Sequence, residues 1–189
     1  LRFMKPVDSM QLVNDVTELF EGFRIKHFPG RKNVGILSGE EEGVFSWIAL
    51  NYLLGNFAKD RPDNETVGLL EMGGGSTQIA FIPNTPIYDG EFQITIDGRS
   101  YELYAHSYLL FGINAVNQWV AEVIKRNYSD SVTYDNPCML KGDSKEIETY
   151  EGVPVQMNGS SDPGSCQEIL EIILKPETGL KCEPKPCAI

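Results

Sequence analysis

An α/β fold is the expectation for this chain, and three features predict it. Segments with apolar residues at helical spacing alternate with short runs of strand character. Glycine clusters and a hairpin dipeptide punctuate those strands. The 189 residues are 41% hydrophobic and 23% charged, the composition of a globular chain with a real core rather than a disordered, collagen-like or membrane-spanning one.

The first helix is expected over residues 7–23, where Met10, Val13, Val16, Leu19, Phe20 and Phe23 recur at helical spacing behind Pro6 and Asp8. Alternation over Phe23–Phe28 predicts a short strand stopped by Pro29-Gly30, and Val34-Gly35-Ile36-Leu37 a second, buried one. Glu40 to Phe57 reads as helix, with Val44, Ile48 and Tyr52 on one face and Gly55 near its end. Lys59–Thr66 is polar, carries Pro62 and reads as a linker. Strands follow at Val67–Met72 and, across three glycines, at Gln78–Ile82. Phe92–Ile96 and Arg99–Ser107 flank Asp97-Gly98, a pair that favours a tight turn with positive φ. Ile113, Val116, Trp119, Val120, Val123 and Ile124 are spaced for one buried helical stripe. Beyond them the chain reads as loop, with a short helix near Gln167–Leu174.

Sixteen Lys and Arg against 27 Asp and Glu give a net charge of −11. That field repels nucleic acid and anionic lipid, and no apolar run approaches the roughly 20 residues of a membrane span. Neither nucleic acid nor membrane contact by this chain is expected. Cys138, Cys166, Cys182 and Cys187, with Asn-x-Ser/Thr sequons at Asn64, Asn127 and Asn158, lean toward the secretory pathway. Zinc is disfavoured, because the cysteine spacing is wrong and only two histidines are present. The chain starts without an initiator Met or signal peptide and stops just past Cys187, so it reads as a segment of a longer protein.

Two segments carry chemistry. In Leu70-Glu71-Met72-Gly73-Gly74-Gly75-Ser76-Thr77-Gln78, consecutive glycines let backbone N–H groups converge into an anion-binding concavity. Ser76 and Thr77 add hydroxyls, and Glu71 stands where a carboxylate could serve a divalent cation, the parts that phosphoryl transfer needs. The plain alternative is a flexible hairpin turn. The second segment runs from Leu37-Ser38-Gly39 through Glu40-Glu41-Glu42-Gly43 to Trp47. Acidic residues in a first helical turn complement the macrodipole, and that alone explains three glutamates. Alternatively, one of them takes the proton of an attacking water, with neighbouring like charge raising its pKa and the dipole opposing this.

Together these segments, with Asn51-Tyr52-Leu53-Leu54-Gly55 and Tyr104–Gly112, resemble the ecto-nucleoside triphosphate diphosphohydrolases, or apyrases. The first resembles that family's fourth conserved region, the second its third, and Leu1-Arg2 the tail of its second. The resemblance implies a ribonuclease-H-like layout of the actin and sugar-kinase superfamily, a mixed sheet with flanking helices. Residues 1–40 would end the first lobe and 41–189 form an incomplete second one. It implies metal-dependent hydrolysis of the terminal phosphate of nucleoside tri- or diphosphates by in-line water attack, without a phosphoenzyme. By position, Glu42 matches the catalytic base, and Ser76 and Gln78 the groups that orient the water. Gly73, Gly74, Gly75, Ser76 and Thr77 match the phosphate-binding turn, with Gly74 and Gly75 as backbone donors. Glu71 stands where the family usually has Asp and matches the residue that holds Ca2+ or Mg2+ through water.

The same comparison implies disulfides Cys138–Cys166 and Cys182–Cys187, and glycosylation at the three sequons. It also implies an extracellular or secretory-lumen location and a membrane-anchored parent. The partners implied are the nucleotide and the missing first lobe, without which the segment is expected to be inactive. His27, His106, Trp47, Trp119, Tyr101, Tyr104 and Tyr108 are read as structural. Two rivals stand beside this reading. One is an exopolyphosphatase-like enzyme, which shares the glycine turn but not the Gly43-to-Trp47 spacing, sequons and paired cysteines. The other is a secreted glycoprotein module that keeps the fold for binding only.

Overall fold

The computed structural model describes residues 1–23, 34–62, 65–128 and 132–174. Helix α1 spans Pro6–Gly22, opened by a proline whose missing N–H costs nothing in the first turn. Met10, Leu19 and Phe20 of its expected buried stripe are exposed. Of the strand predicted over 23–28, Phe23 is the C-cap of α1 and the remaining residues lie outside those described. Val34–Leu37 forms no strand ladder among the described residues, and Ile36 and Leu37 are exposed, so the second short buried strand is not realised.

Helix α2 spans Gly39–Leu53 and begins with a capping box: Ser38 accepts from the Glu41 N–H, and the Glu41 carboxylate accepts from the Ser38 N–H. Its inward face is Gly39, Gly43, Val44, Trp47 and Asn51, whereas Tyr52 points to solvent. Gly55, at φ 71°, supplies the left-handed residue that ends it. Asn51 is fully buried with its amide saturated. Its Nδ2 donates to the Trp47 and Val67 carbonyls, and its Oδ1 accepts from Val67 N–H and Asn56 Nδ2. That amide sets the lead-in to the first strand against the helix.

Strands β1 (Leu69–Met72), β2 (Ser76–Phe81), β3 (Glu91–Ile96) and β4 (Arg99–Leu109) form an antiparallel sheet of order β1-β2-β4-β3. The β3–β4 turn has Asp97 at φ 50° and Gly98 at φ 83°, as a type I′ hairpin requires. α2 lies on one face, burying Val44, Trp47, Phe57, Ala80, Tyr101, Leu103 and Ala105 in one core. Trp47, Phe57 and Tyr101 meet edge to face or tilted within 6.0 Å, so Trp47 and Tyr101 are packing residues.

Helix α3 (Ile113–Asn127) leads into a second sheet where the sequence reads as loop: β5 (Thr133–Asn136), β6 (Ser144–Glu148) and β7 (Pro154–Gly159), in order β5-β7-β6. β5 runs parallel and β6 antiparallel to β7. Tyr134, Ile147, Val155 and Met157 of this sheet pack on Val120, Ala121 and Ile124 of α3, with helix α4 (Pro163–Leu174) against them. A disulfide joins Cys138 to Cys166 and so ties α4 to the end of β5. Cys182, Cys187 and Asn64 lie outside the described residues. Asn127 is exposed at the end of α3, and Asn158 is half-buried on β7 with Oδ1 accepting from Ser144.

Candidate active site

The β1–β2 connection is the Gly73–Gly75 turn. None of its three glycines has a positive φ among the described residues; what the turn needs is room. A Cβ on Gly74 would stand 3.0 Å from Asn114 Nδ2, and one on Gly75 would stand 3.0 Å from the Phe3 ring. The start of α3 grips the turn through its carbonyls. Ile113 N–H donates to Gly73, Asn114 N–H to Gly74 and Leu110 N–H to Gly75, each at 2.9 Å. Gly112 permits this contact, since a Cβ there would lie 2.5 Å from Gly74 C and Gly75 N. Gly73 N–H is spent inside the turn on the Ser76 carbonyl. The N–H groups of Gly74 and Gly75 have no partner among the described residues. A turn whose carbonyls are consumed and whose N–H groups are free has the donors that an anion-binding concavity needs. Beside it opens a cavity of about 340 Å³ lined by Phe3, Gly74, Gly75, Leu110, Asn114, Ala115 and Gln118.

Register places Glu71, Gln78 and Ser107 opposite one another across β1, β2 and β4, so their side chains share one face of the sheet. α2 lies over that row, brought close by Gly39 and Gly43. A Cβ on Gly39 would strike the Ser107 side chain, and one on Gly43 would come 3.3 Å from Gln78 Cβ. One turn apart on α2, Glu42 and Ser46 reach down onto the row. Gln78 is buried, and its Nε2 lies 3.1 Å from Glu42 Oε2, 2.7 Å from Ser76 Oγ and 3.1 Å from Ser107 Oγ. A carboxylate accepts only, so Glu42 fixes which end of the amide faces it. Arg2 ion-pairs with the same Glu42 Oε2. Oε1 of Glu42 is left without a partner among the described residues, on a side chain 34% exposed.

Glu71 is arranged alike: Oε2 accepts from Ser46 Oγ at 3.0 Å, and Oε1 has no partner among the described residues. Among the described residues no three His, Cys, Asp or Glu side chains cluster as a metal cage. One free carboxylate oxygen beside an anion-binding turn fits a hard divalent cation that keeps most of its water and takes phosphate oxygens. It does not fit zinc.

Of the residues singled out in the sequence, Glu42, Glu71, Ser76, Gln78, Gly74 and Gly75 are thus brought together. Thr77 is not: it alternates to the opposite face, where its hydroxyl donates to the Phe111 carbonyl at 2.7 Å. That face carries a row of rings, Phe81, Tyr104, His106, Tyr108 and Phe111, each meeting the next. Burial, with Tyr104 beside it, pushes the Tyr108 phenol above its ordinary pKa. His106 and the two tyrosines therefore sit away from the carboxylates, and Trp119 stacks on Tyr150 at 3.9 Å. His27 lies outside the described residues. Arg2, Ser46, Ser107 and Gly112 were not legible as site residues, since each meets its partners only through strand register and helix packing.

The sequence profile of the GDA1/CD39 (nucleoside phosphatase) family matches residues 1–189. The chain belongs to that family. Human ectonucleoside triphosphate diphosphohydrolase 2 is 35% identical over 158 residues, covering 71% of this chain and 32% of that protein. The guanosine-diphosphatase of Saccharomyces cerevisiae is 31% identical over 179 residues, 82% of this chain and 34% of its own. This GDA1/CD39 chain thus spans about a third of the length of those relatives. A nucleoside triphosphate hydrolase structure from Neospora caninum superposes with a TM-score of 0.71 at 17% identity, covering 96% of this chain and 46% of that one. That likeness bears out the α/β, actin-like fold class. Among the described residues no helix is long and apolar enough to cross a membrane.

Proposed function

We propose that this chain supplies one wall of a nucleotide-hydrolysing cleft, in which water attacks the terminal phosphorus of a nucleoside tri- or diphosphate. One observation carries the reading: Gln78 touches both Glu42 and Ser76, the residue that follows the glycine turn, which supports a crevice shared by the carboxylate and the turn. Gly74 and Gly75 N–H groups hold the terminal phosphate, beside the cavity that Asn114 and Gln118 line. Gln78 and Ser76 hold the water, and Oε1 of Glu42 accepts its proton as the new P–O bond forms and the bridging P–O bond breaks. Arg2 and Gln78, both on Oε2, fix the Glu42 rotamer so that Oε1 faces the water. Glu71 is the residue that would hold Ca2+ or Mg2+ through water; when bound, the cation neutralises phosphate charge.

The exposed apolar residues of α1 support residues 1–40 as the end of a first lobe and 41–189 as much of a second. A nucleotide between two lobes needs both, so this segment by itself is expected to be inactive. The Cys138–Cys166 bridge and the "ecto" relatives support an extracellular or secretory-lumen location, with Asn127 and Asn158 as glycan sites.

The test is Glu42→Gln in the whole protein. Phosphate release from ATP and ADP is expected to fall by about a hundredfold or more, the scale of a positioned base, with nucleotide binding kept. Turnover within a few-fold of the parent would remove Glu42 from this role. Hydrolysis of long-chain polyphosphate in preference to ATP would favour the exopolyphosphatase rival.

A further inference from the structure

Ser46 is a polar residue in the middle of α2 that neither packing nor the helix cap explains. It is half-buried one turn beyond Glu42, beside Trp47, whose side chain is fully buried. Its hydroxyl crosses from helix to sheet and donates to Glu71 Oε2 at 3.0 Å. Glu71 stands on β1, an edge strand of the sheet, where a long carboxylate side chain has rotamer freedom to lose. The bond removes that freedom and divides the carboxylate, with Oε2 held by Ser46 and Oε1 left without a partner among the described residues. An aspartate at position 71 would draw the carboxyl back by about one carbon–carbon bond, 1.5 Å, and out of reach of the hydroxyl.

We propose that Ser46 is a positioning residue for the divalent cation: its hydroxyl orients the Glu71 carboxylate so that Oε1 faces the cation's water shell, and the two residues work as a pair. The inference rests on the assignment of Glu71 to the cation given above. The bland account of the same bond is a staple holding α2 to β1, and the two differ in what they predict.

The experiment uses the whole protein and two readouts. One is the Ca2+ concentration that gives half-maximal equilibrium binding of a non-hydrolysable ATP analogue; the other is the melting temperature without metal. Ser46→Ala is expected to raise the Ca2+ midpoint about tenfold, the low end for loss of a partner that orients a metal ligand. Ser46→Thr, which keeps the hydroxyl, is expected to stay within about twofold of the parent. In a Glu71→Asp background, Ser46→Ala is expected to change the midpoint by less than about twofold, because no bond remains to be lost. A Ser46→Ala protein that melts lower without metal while keeping the parent midpoint would make Ser46 a staple and overturn the inference. Glu71→Ala separates the two levels. If it leaves the Ca2+ midpoint unmoved, the assignment of Glu71 to the cation fails. If it removes the Ca2+ response while Ser46→Ala does nothing, only the pairing fails.

Discussion

Gly112→Ala probes the contact that shapes the glycine turn. Gly112 is the N-cap of α3 at φ −81°, so alanine brings no backbone strain and the perturbation is purely one of space. The new methyl would lie 2.5 Å from Gly74 C and Gly75 N and closer still to Ser76 N, where ordinary contact begins at 3.4 Å. All three are backbone atoms that no rotamer change can move, so the helix start and the turn must separate by about 1 Å, the overlap that overpacking has to relieve. The bonds from Ile113 and Asn114 to the turn, now 2.9 Å, then pass beyond hydrogen-bonding range. Two backbone bonds at about 1 kcal/mol each, with an overpacking cost of about 2 kcal/mol, give a loss near 4 kcal/mol. For a domain of this size that lowers the melting temperature by about 12 °C. The assay is thermal and urea unfolding beside Gly35→Ala, whose Cβ would meet nothing within 4 Å and which is expected to stay within about 0.5 kcal/mol of the parent. A Gly112→Ala protein that melts with the control would refute the claim that close packing of α3 fixes the turn.

Replacing Cys138 and Cys166 together by alanine should cost about 3–4 kcal/mol on the chain-entropy model for a separation of 28 residues. Urea unfolding with and without reductant measures it, and a parent insensitive to reductant would contradict the value. The pH dependence of α4 can be assigned to Asp162, whose carboxylate accepts from Ser165 Oγ and from the Ser165 and Gly164 N–H groups. Those bonds, the Ser165 hydroxyl first, hold its pKa below the ordinary aspartate value. A lowered pKa stabilises the fold above about pH 4, and that stabilisation is lost as pH falls through the folded-state value. The stability gap between the parent and Asp162→Asn should therefore be flat from neutral pH to about pH 5 and close below about pH 4. A gap unchanged by acid in circular-dichroism melts would show that the charge is not what caps the helix.

Where a local signal is clear the sequence was sufficient to place an element, though the helical spacing of α1 did not predict its burial. Val44 and Ile48 mark the packed side of α2, although Tyr52, expected on the same face, is exposed, and Asp97-Gly98 between two alternating runs has essentially one solution. It failed for β5, β6 and β7. Their segments, TYDN, SKEIE and PVQMNG, offer one or two apolar residues each among Asp, Asn, Lys, Glu and Pro, which are poor strand formers. What makes them strands is α3, whose face gives Tyr134, Ile147, Val155 and Met157 somewhere to be buried. The reverse holds at Val34–Leu37, where an apolar run reads as a buried strand but no neighbouring strand among the described residues completes it. Hydrophobicity along the chain reports a wish to be buried, not the partner that grants it.

The three glutamates at the start of α2 show why the site was only half legible. Acidic residues there satisfy the helix dipole whichever of them does chemistry, so sequence gave two sufficient readings of one feature. Strand register separates them. Glu41 closes the capping box with Ser38, Glu40 borders a hollow with Asp89 and His106, and Glu42 alone is carried over the Glu71–Gln78–Ser107 row. The dipole reading is therefore right for Glu41 and insufficient for Glu42, whose oxygen takes hydrogen bonds from Arg2 and Gln78, partners 40 and 36 residues away. Which glutamate reaches the sheet is decided by Gly39 and Gly43, because only a helix without side chains at those points comes near enough for one carboxylate to touch Gln78. In that sense the two small residues select which carboxylate meets Gln78, and the acidic run supplies the candidates.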